Sequence, residues 1–302
     1  MTERLAETTA RLEGIRQLGL IVNAMRGIAA ARVQEAREQL ASVDIYAGTI
    51  AAAIARAFAL AAGPRPDAGS RPHRSALVVF CAEQGFAGAF SDRVLDAIAA
   101  DALRSELFLI GTRGSAAAAE RGLVPRWRSA MPAHSSGVPK LAERIADALY
   151  AHIATGEINR LDVVFSRPQR GRGIEVARQR LLPLDLTAFP PPPDGNAPLV
   201  NLDPRALLSN LADDYMHAQL CQAALHAFAA ENEARMQAMT AAHSQVERQL
   251  TSLQSLQRRV RQEEITAEVL ELAAGERASR PGAAGDPDHS GARVYDPSPG
   301  GV

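Results

Sequence analysis

The sequence predicts an α/β protein in which a long antiparallel coiled coil of N- and C-terminal helices accompanies a Rossmann-like domain with a mostly parallel sheet. Three observations carry this. Residues Thr2 to about Leu60, and Asp203-Pro204 to about Ala274, contain no other proline and repeat apolar residues at helical steps. Between them short apolar runs alternate with helical patterns, the mark of a parallel sheet covered by helices. Aromatics are only 4% of the 302 residues, and alanine comes in runs such as Ala51–Ala53 and Ala116–Ala119, which favours helix over a β-sandwich.

In the first segment (residues 1–62) Leu5, Leu12, Ile15, Val22, Met25 and Ala29 form a seam, with Glu3, Arg4, Arg11 and Glu13 off it. At 1.5 Å per residue it makes a rod of roughly 85 Å, which needs a partner along its length. The run Gly63–Pro72, rich in proline and glycine, ends it. The second segment (73–188) is the Rossmann-like domain. Its strands are Ala76–Cys81, Leu107–Ile110 and Leu161–Phe165, with Ile174–Leu182 as an edge strand. Its helices are Asp92–Leu103, Arg113–Arg121 and Val138–Ala154, and Phe189–Pro198 is a linker.

The third segment (203–275) starts with Asp203 as N-cap and Pro204 at the first helical position. Its far half carries Val246, Leu250, Leu253, Leu256, Val260, Ile265, Val269 and Leu272, and Gly275 ends the pattern. Residues 279–302 are rich in Gly, Pro, Asp and Ser and are expected to be disordered. The two long helices bury each other's stripe if they pair antiparallel. The alternative is two helices folded over the sheet.

Thirty-three basic and 34 acidic side chains give a net charge of −1, so there is no general nucleic-acid footprint. Cys81 and Cys221 are far apart and form neither a metal-ligand cluster nor a disulfide framework, which fits a reducing compartment. The N-terminus lacks the apolar stretch of a signal peptide, and no uninterrupted apolar run of about 20 residues suggests a membrane span. Any membrane role is therefore expected to come through a partner.

Phosphate binding by a P-loop needs a glycine-rich turn ending in Lys-Ser/Thr. The only lysine, Lys140, lies in Gly137-Val138-Pro139-Lys140-Leu141, which has neither the spacing nor the hydroxyl. G-x-S-x-G, H-E-x-x-H and C-x-x-C are absent. Gly85-Phe86-Ala87-Gly88-Ala89-Phe90 stands where a dinucleotide loop would, but lacks the full G-x-G-x-x-G spacing and reads as a tight strand-to-helix turn. His217, His226 and His243 are not at i, i+4 spacing and read as packed or solvated residues. No cofactor and no metal are expected.

Four segments then resemble the gamma subunit of rotary F-type ATP synthases, in the right order. Ala24-Met25-Arg26-Gly27-Ile28-Ala29-Ala30-Ala31-Arg32 is similar to that family's A-M-x-x-V-A-A-x-K. The turn at Gly85 and Gly88 is similar to its G-L-C-G-x-F/L, and Ala234-Arg235-Met236-Gln237-Ala238-Met239 to its A-R-M-x-A-M. The most specific is Arg261–Gly275, similar to R-Q-x-x-I-T-x-E-x-x-E-I-V-x-G. Leu20 and Asn23 stand where the family has lysines, and Ala87 replaces the cysteine of the turn, which points to a divergent member.

The resemblance implies a non-catalytic central-stalk rotor subunit that couples ion flow through a membrane ring to ATP synthesis or hydrolysis. The implied partners are the ATP synthase alpha and beta subunits, the epsilon subunit and the membrane c-ring. The implied location is the cytoplasmic face of the plasma membrane, as a peripheral protein. It also places Met25, Arg261, Gln262, Thr266 and Glu268 near the catalytic hexamer. Arg258, with Arg248, Arg259 and Arg261, is available to acidic loops of that hexamer or is a solvated helix face. Met25 and Ile265 are alternatively seam residues, a role preferred for Ile265. Gln262 and Thr266, four apart, share a face. Two other functions stay open: an α/β small-molecule-binding enzyme, and a coiled-coil adaptor unrelated to ATPases.

Overall fold

A computed structural model describes residues 3–60, 75–169, 173–184 and 200–279. The predicted stop at Gly63–Pro72, the linker Phe189–Pro198 and the tail after Ser279 lie outside these residues. In chain order the elements are α1 (Glu3–Leu60), β1 (Ser75–Phe80), α2 (Phe90–Ala102), β2 (Ser105–Ile110), α3 (Thr112–Glu120), β3 (Trp127–Ser129), α4 (Val138–Ala154), β4 (Arg160–Gln169), β5 (Gly173–Leu182) and α5 (Pro204–Ser279). Two compact units result: Met1–Gly14 with Gln249–Val302, and Ile15–Arg248.

In the larger unit α1 buries Val22, Ala29, Val33, Ala36, Ala47, Ile50, Ile54 and Ala57. These steps of three, four, seven and eleven are the predicted seam continued. Asp44 meets Gln222 at 2.7 Å, Arg37 meets Glu233 at 3.3 Å, and Gly19 faces Val246. Residue numbers rise on α1 as they fall on α5, so the helices are antiparallel. One 18-residue window of α1 has a mean hydropathy of 1.3 with 22% of it buried, so by length and composition alone α1 is apolar enough to cross a membrane, contrary to expectation. Its buried positions nevertheless follow the seam that faces α5.

α5 both pairs with α1 and covers the sheet, so the two predicted arrangements are combined. The sheet order is β3-β2-β1-β4-β5, parallel except for the antiparallel β4–β5 edge pair. On one face Val78, Phe80, Phe108 and Ile110 pack with Leu141, Ile145 and Leu149 of α4 and Leu220, Ala224 and Phe228 of α5. On the other, Leu77, Val79, Leu107 and Leu109 meet Val94, Leu95 and Ile98 of α2 and Ala118 of α3. Burial on both faces explains why these strands are unbroken apolar runs. Each such side chain contributes about 1.5–3 kcal/mol. β5 is the edge strand expected; β3, three residues at the other edge, was not anticipated.

In the smaller unit Leu12 and Val260 are buried and Gln257 Nε2 donates to Thr9 Oγ1 at 3.0 Å, again antiparallel. Two corrections follow. α5 runs through Gly275 to Ser279, and Ile265 is not a seam residue: it is 54% exposed, with Val269 and Leu272 more so. The register that sets Thr9 beside Gln257 brings Glu3, where α1 starts, level with about residue 263. Beyond that the described part of α1 offers the apolar stripe nothing to pack against.

Candidate functional site

In an open parallel sheet, ligands bind beyond the carboxyl ends of the strands. Here that edge is filled by the chain itself. Glu83, just after β1, turns its carboxylate inward: it accepts the Thr112 N–H at 2.9 Å, the Thr112 hydroxyl at 2.7 Å and the Met131 N–H at 2.9 Å. An acidic group on the first turn of α3 is where the helix dipole favours an anion, so Glu83 occupies the place a ligand phosphate would take. Gly111 closes the crevice further. Its φ is +110°, and a Cβ there would stand 2.5 Å from the Cys81 carbonyl oxygen. The Cys81 thiol is buried beneath, which pushes its pKa up to about 12 and leaves it an unreactive thiol.

The turn containing Gly85 and Gly88 continues from Glu83. Gly88 has φ +58° and Phe86, 68% exposed, has φ +62°. A shallow cleft of about 240 Å³ lies against it, lined by Gly85, Phe86, Gly88, Asp92, Arg113 and Glu120. Gly85 acts through its carbonyl, which accepts from Arg235 Nε at 3.2 Å.

That arginine belongs to a buried cluster on α5 that sequence reasoning missed. Glu231 Oε2 accepts the Glu83 N–H at 3.0 Å and Oε1 the Gln84 N–H at 3.1 Å. Arg235 pairs with Glu231, donates to Asn232 Oδ1 at 2.9 Å and reaches the Gln84 carbonyl at 3.5 Å. Side-chain exposure is 5% for Arg235 and 4% for Glu231, so this is a desolvated, charge-balanced pair. The available signal was an i, i+4 Glu–Arg pair just after the apolar run Ala227–Ala230.

The predicted partner-contact residues fall in two places. Met25 is on α1 in the larger unit and half-buried beside the seam. Arg258, Arg261, Gln262, Thr266 and Glu268 are all exposed on α5 in the smaller unit. Gln262 and Thr266 do share a face, and the Thr266 hydroxyl donates to the Gln262 backbone carbonyl at 2.8 Å. Exposed Ile265, Val269 and Leu272 lie among them. No group of three or more His, Cys, Asp or Glu side chains among the described residues is placed to hold a metal.

A family model described as ATP synthase matches residues 4–278. The chain is 29% identical to the ATP synthase gamma chain of Frankia casuarinae, covering 92% of this chain and 98% of that one. It is 29% identical to the ATP synthase gamma chain of a Parafrankia species, with 94% and 100% covered. Among solved structures it is similar to a chain of the Euglena gracilis mitochondrial ATP synthase, OSCP/F1/c-ring, in rotational state 3 (TM-score 0.64, 14% identity, 95% and 99% covered). It is also similar to a chain of the Tetrahymena thermophila mitochondrial ATP synthase central stalk and c-ring (TM-score 0.55, 16% identity, 74% and 99% covered).

Proposed function

We propose how this chain works from the fact that it belongs to the ATP synthase family, as the gamma-type, non-catalytic rotor subunit. It is part of a membrane-associated complex, and we place it on the cytoplasmic face of the plasma membrane. The long helices α1 and α5, within residues 1–62 and 203–279, serve as the shaft, and the sheet domain, within residues 73–188, as the foot. Alpha and beta subunits surround the shaft; the foot meets the epsilon subunit and the membrane c-ring.

One observation carries the hexamer contact. The final turns of α5 expose Ile265, Val269 and Leu272, a surface costly to leave in water, cationic at its N-terminal margin (Arg258, Arg261) and interleaved with Glu263, Glu268 and Glu271. A sleeve that is apolar in its bore and acidic in its loops fits this surface. Gln262, Thr266 and Glu268 supply polar contacts there, and Met25 adds an apolar contact to the catalytic subunits from α1. Reconstitution with the alpha and beta subunits tests this. The chain raises ATP hydrolysis of the assembled hexamer, and a bifunctional cross-linker on a cysteine introduced at Gln262 captures a catalytic subunit. A hexamer equally active without the chain, with no cross-link formed, contradicts the proposal.

A further inference from the structure

A rotor whose catalytic contacts are on its helices and whose ring contacts are on its sheet domain needs a joint that does not slip between them. We propose that Glu231 and Arg235 of α5, with Glu83 as relay, are that joint; the proposal rests on the rotor function above.

Besides the apolar packing of α5 on the sheet, which resists separation but carries no directional bond, the other polar links between the long helices and the sheet domain include exposed or half-buried pairs such as Tyr150 with Asp213 and Arg32 with Gln84. Exposed pairs of this kind contribute about 0–1 kcal/mol and yield easily under load. The Glu231–Arg235 pair differs in three ways. It is buried, so its charges are scarcely screened. It grips main chain rather than side chain: the carboxylate takes the N–H groups of Glu83 and Gln84, and the guanidinium takes the carbonyls of Gln84 and Gly85. The polarity is therefore fixed, acid to amides and base to carbonyls. Lastly, the gripped residue passes the constraint on, because the Glu83 side chain holds the start of α3 and the segment after β3. A twist of α5 is thus delivered across the carboxyl edge of β1, β2 and β3 through one residue.

The test uses the full complex in inverted membrane vesicles, measuring ATP hydrolysis and ATP-driven ion uptake, with both a proton-sensitive dye and labelled sodium. Arg235→Met keeps the apolar stem and removes the guanidinium. The double exchange Glu231→Arg with Arg235→Glu keeps an opposite-charge pair at i, i+4 but turns a cation toward the two amides. In both, ions moved per ATP hydrolysed fall at least about threefold while hydrolysis stays within about twofold, since a broken buried pair loosens the joint without touching the catalytic sites. The double exchange coupling as well as the parent overturns the proposal, as does a proportional fall of hydrolysis and uptake with their ratio unchanged. If neither variant assembles, Glu231→Gln in the full chain is compared by hydrogen exchange. The amides of Glu83 and Gln84 exchange at least about tenfold faster than in the parent while that of Val78 does not; unchanged protection overturns the joint. Parent vesicles with hydrolysis but no ATP-driven uptake would remove the rotor function itself, and the joint with it.

Discussion

Val246 Cγ1 lies 3.1 Å from the point where a Cβ on Gly19 would stand, so α1 and α5 approach there with room for no more than a methyl group, and that only if Val246 gives slightly. Glycine in a helix interior carries a propensity cost of about 1 kcal/mol, and here it spares Val246 a shift.

Substituting Gly19→Leu therefore overpacks the seam and costs about 1–3 kcal/mol of stability. Gly19→Ala gains helix propensity and asks Val246 to shift by a few tenths of an ångström, so it stays within about 1 kcal/mol of the parent. Urea unfolding of the full chain checks both. A Gly19→Leu chain as stable as the parent shows that the helices do not meet there.

In the smaller unit the sensitive position is Val260, 4% exposed in the interior of α5. Val260→Pro removes a backbone donor and clashes with the preceding turn, at about 3 kcal/mol or more. Hydrogen exchange should show protection lost around residues 256–264 while β1 amides stay protected. Protection unchanged around Val260 would count against a continuous helix.

Acid should weaken the sheet edge through Asp162, whose side chain on β4 is 3% exposed. Burial pushes this carboxyl up, but hydrogen bonding and charge from Arg178, then bonds from Arg180 and Arg160, outweigh it and hold its pKa below the ordinary value. A depressed native pKa means the contribution is complete above the unfolded value near 3.8 and is lost as pH falls through the native one. Asp162→Asn takes this anion from Arg160 and Arg180 and leaves Arg178 with Asp101, costs about 1.5–3 kcal/mol at neutral pH, and flattens the loss of stability below pH ~4. Equal acid slopes in thermal melts of parent and variant would contradict this.

Much of this architecture was legible in the residues, and the exceptions share a cause. The run Ala76–Cys81 reads as a strand because both faces are buried, and Val138–Ala154 is the helix observed. Asp203 caps α5 as expected, its Oδ2 accepting the N–H groups of Arg205 at 3.1 Å and Ala206 at 3.2 Å. Strand β3 escaped because Trp127-Arg128-Ser129 has no periodicity and is fixed by pairing with β2 alone. Ile265 was assigned to the seam because periodicity records which residues could face a partner, not where the partner stops. The Glu231–Arg235 pair was hidden because charges four apart on a helix ordinarily face water. Only the loop at Glu83–Gly85, distant in sequence, makes them a buried clamp.

The filled sheet edge predicts that the chain has no nucleotide site of its own. With Glu83 on the first turn of α3 and Gly111 against the Cys81 carbonyl, the crevice a phosphate would enter is taken. Titration calorimetry of the isolated chain with ATP should give no binding at micromolar concentrations. Stoichiometric micromolar binding would mean that Glu83 swings out and that the edge is a working site.

The central claim is that this chain turns. Val124, in the loop before β3, is 90% exposed and suits a cysteine for attaching a gold rod. The native thiols are buried and do not compete, with pKa values raised to about 12 for Cys81 and about 11 for Cys221. With the catalytic subunits of the assembled complex fixed to glass, adding ATP should drive the rod in one direction for many successive turns, stopping when ATP is withdrawn. A rod that only jitters while the same molecules hydrolyse ATP would show that the chain is not a rotor.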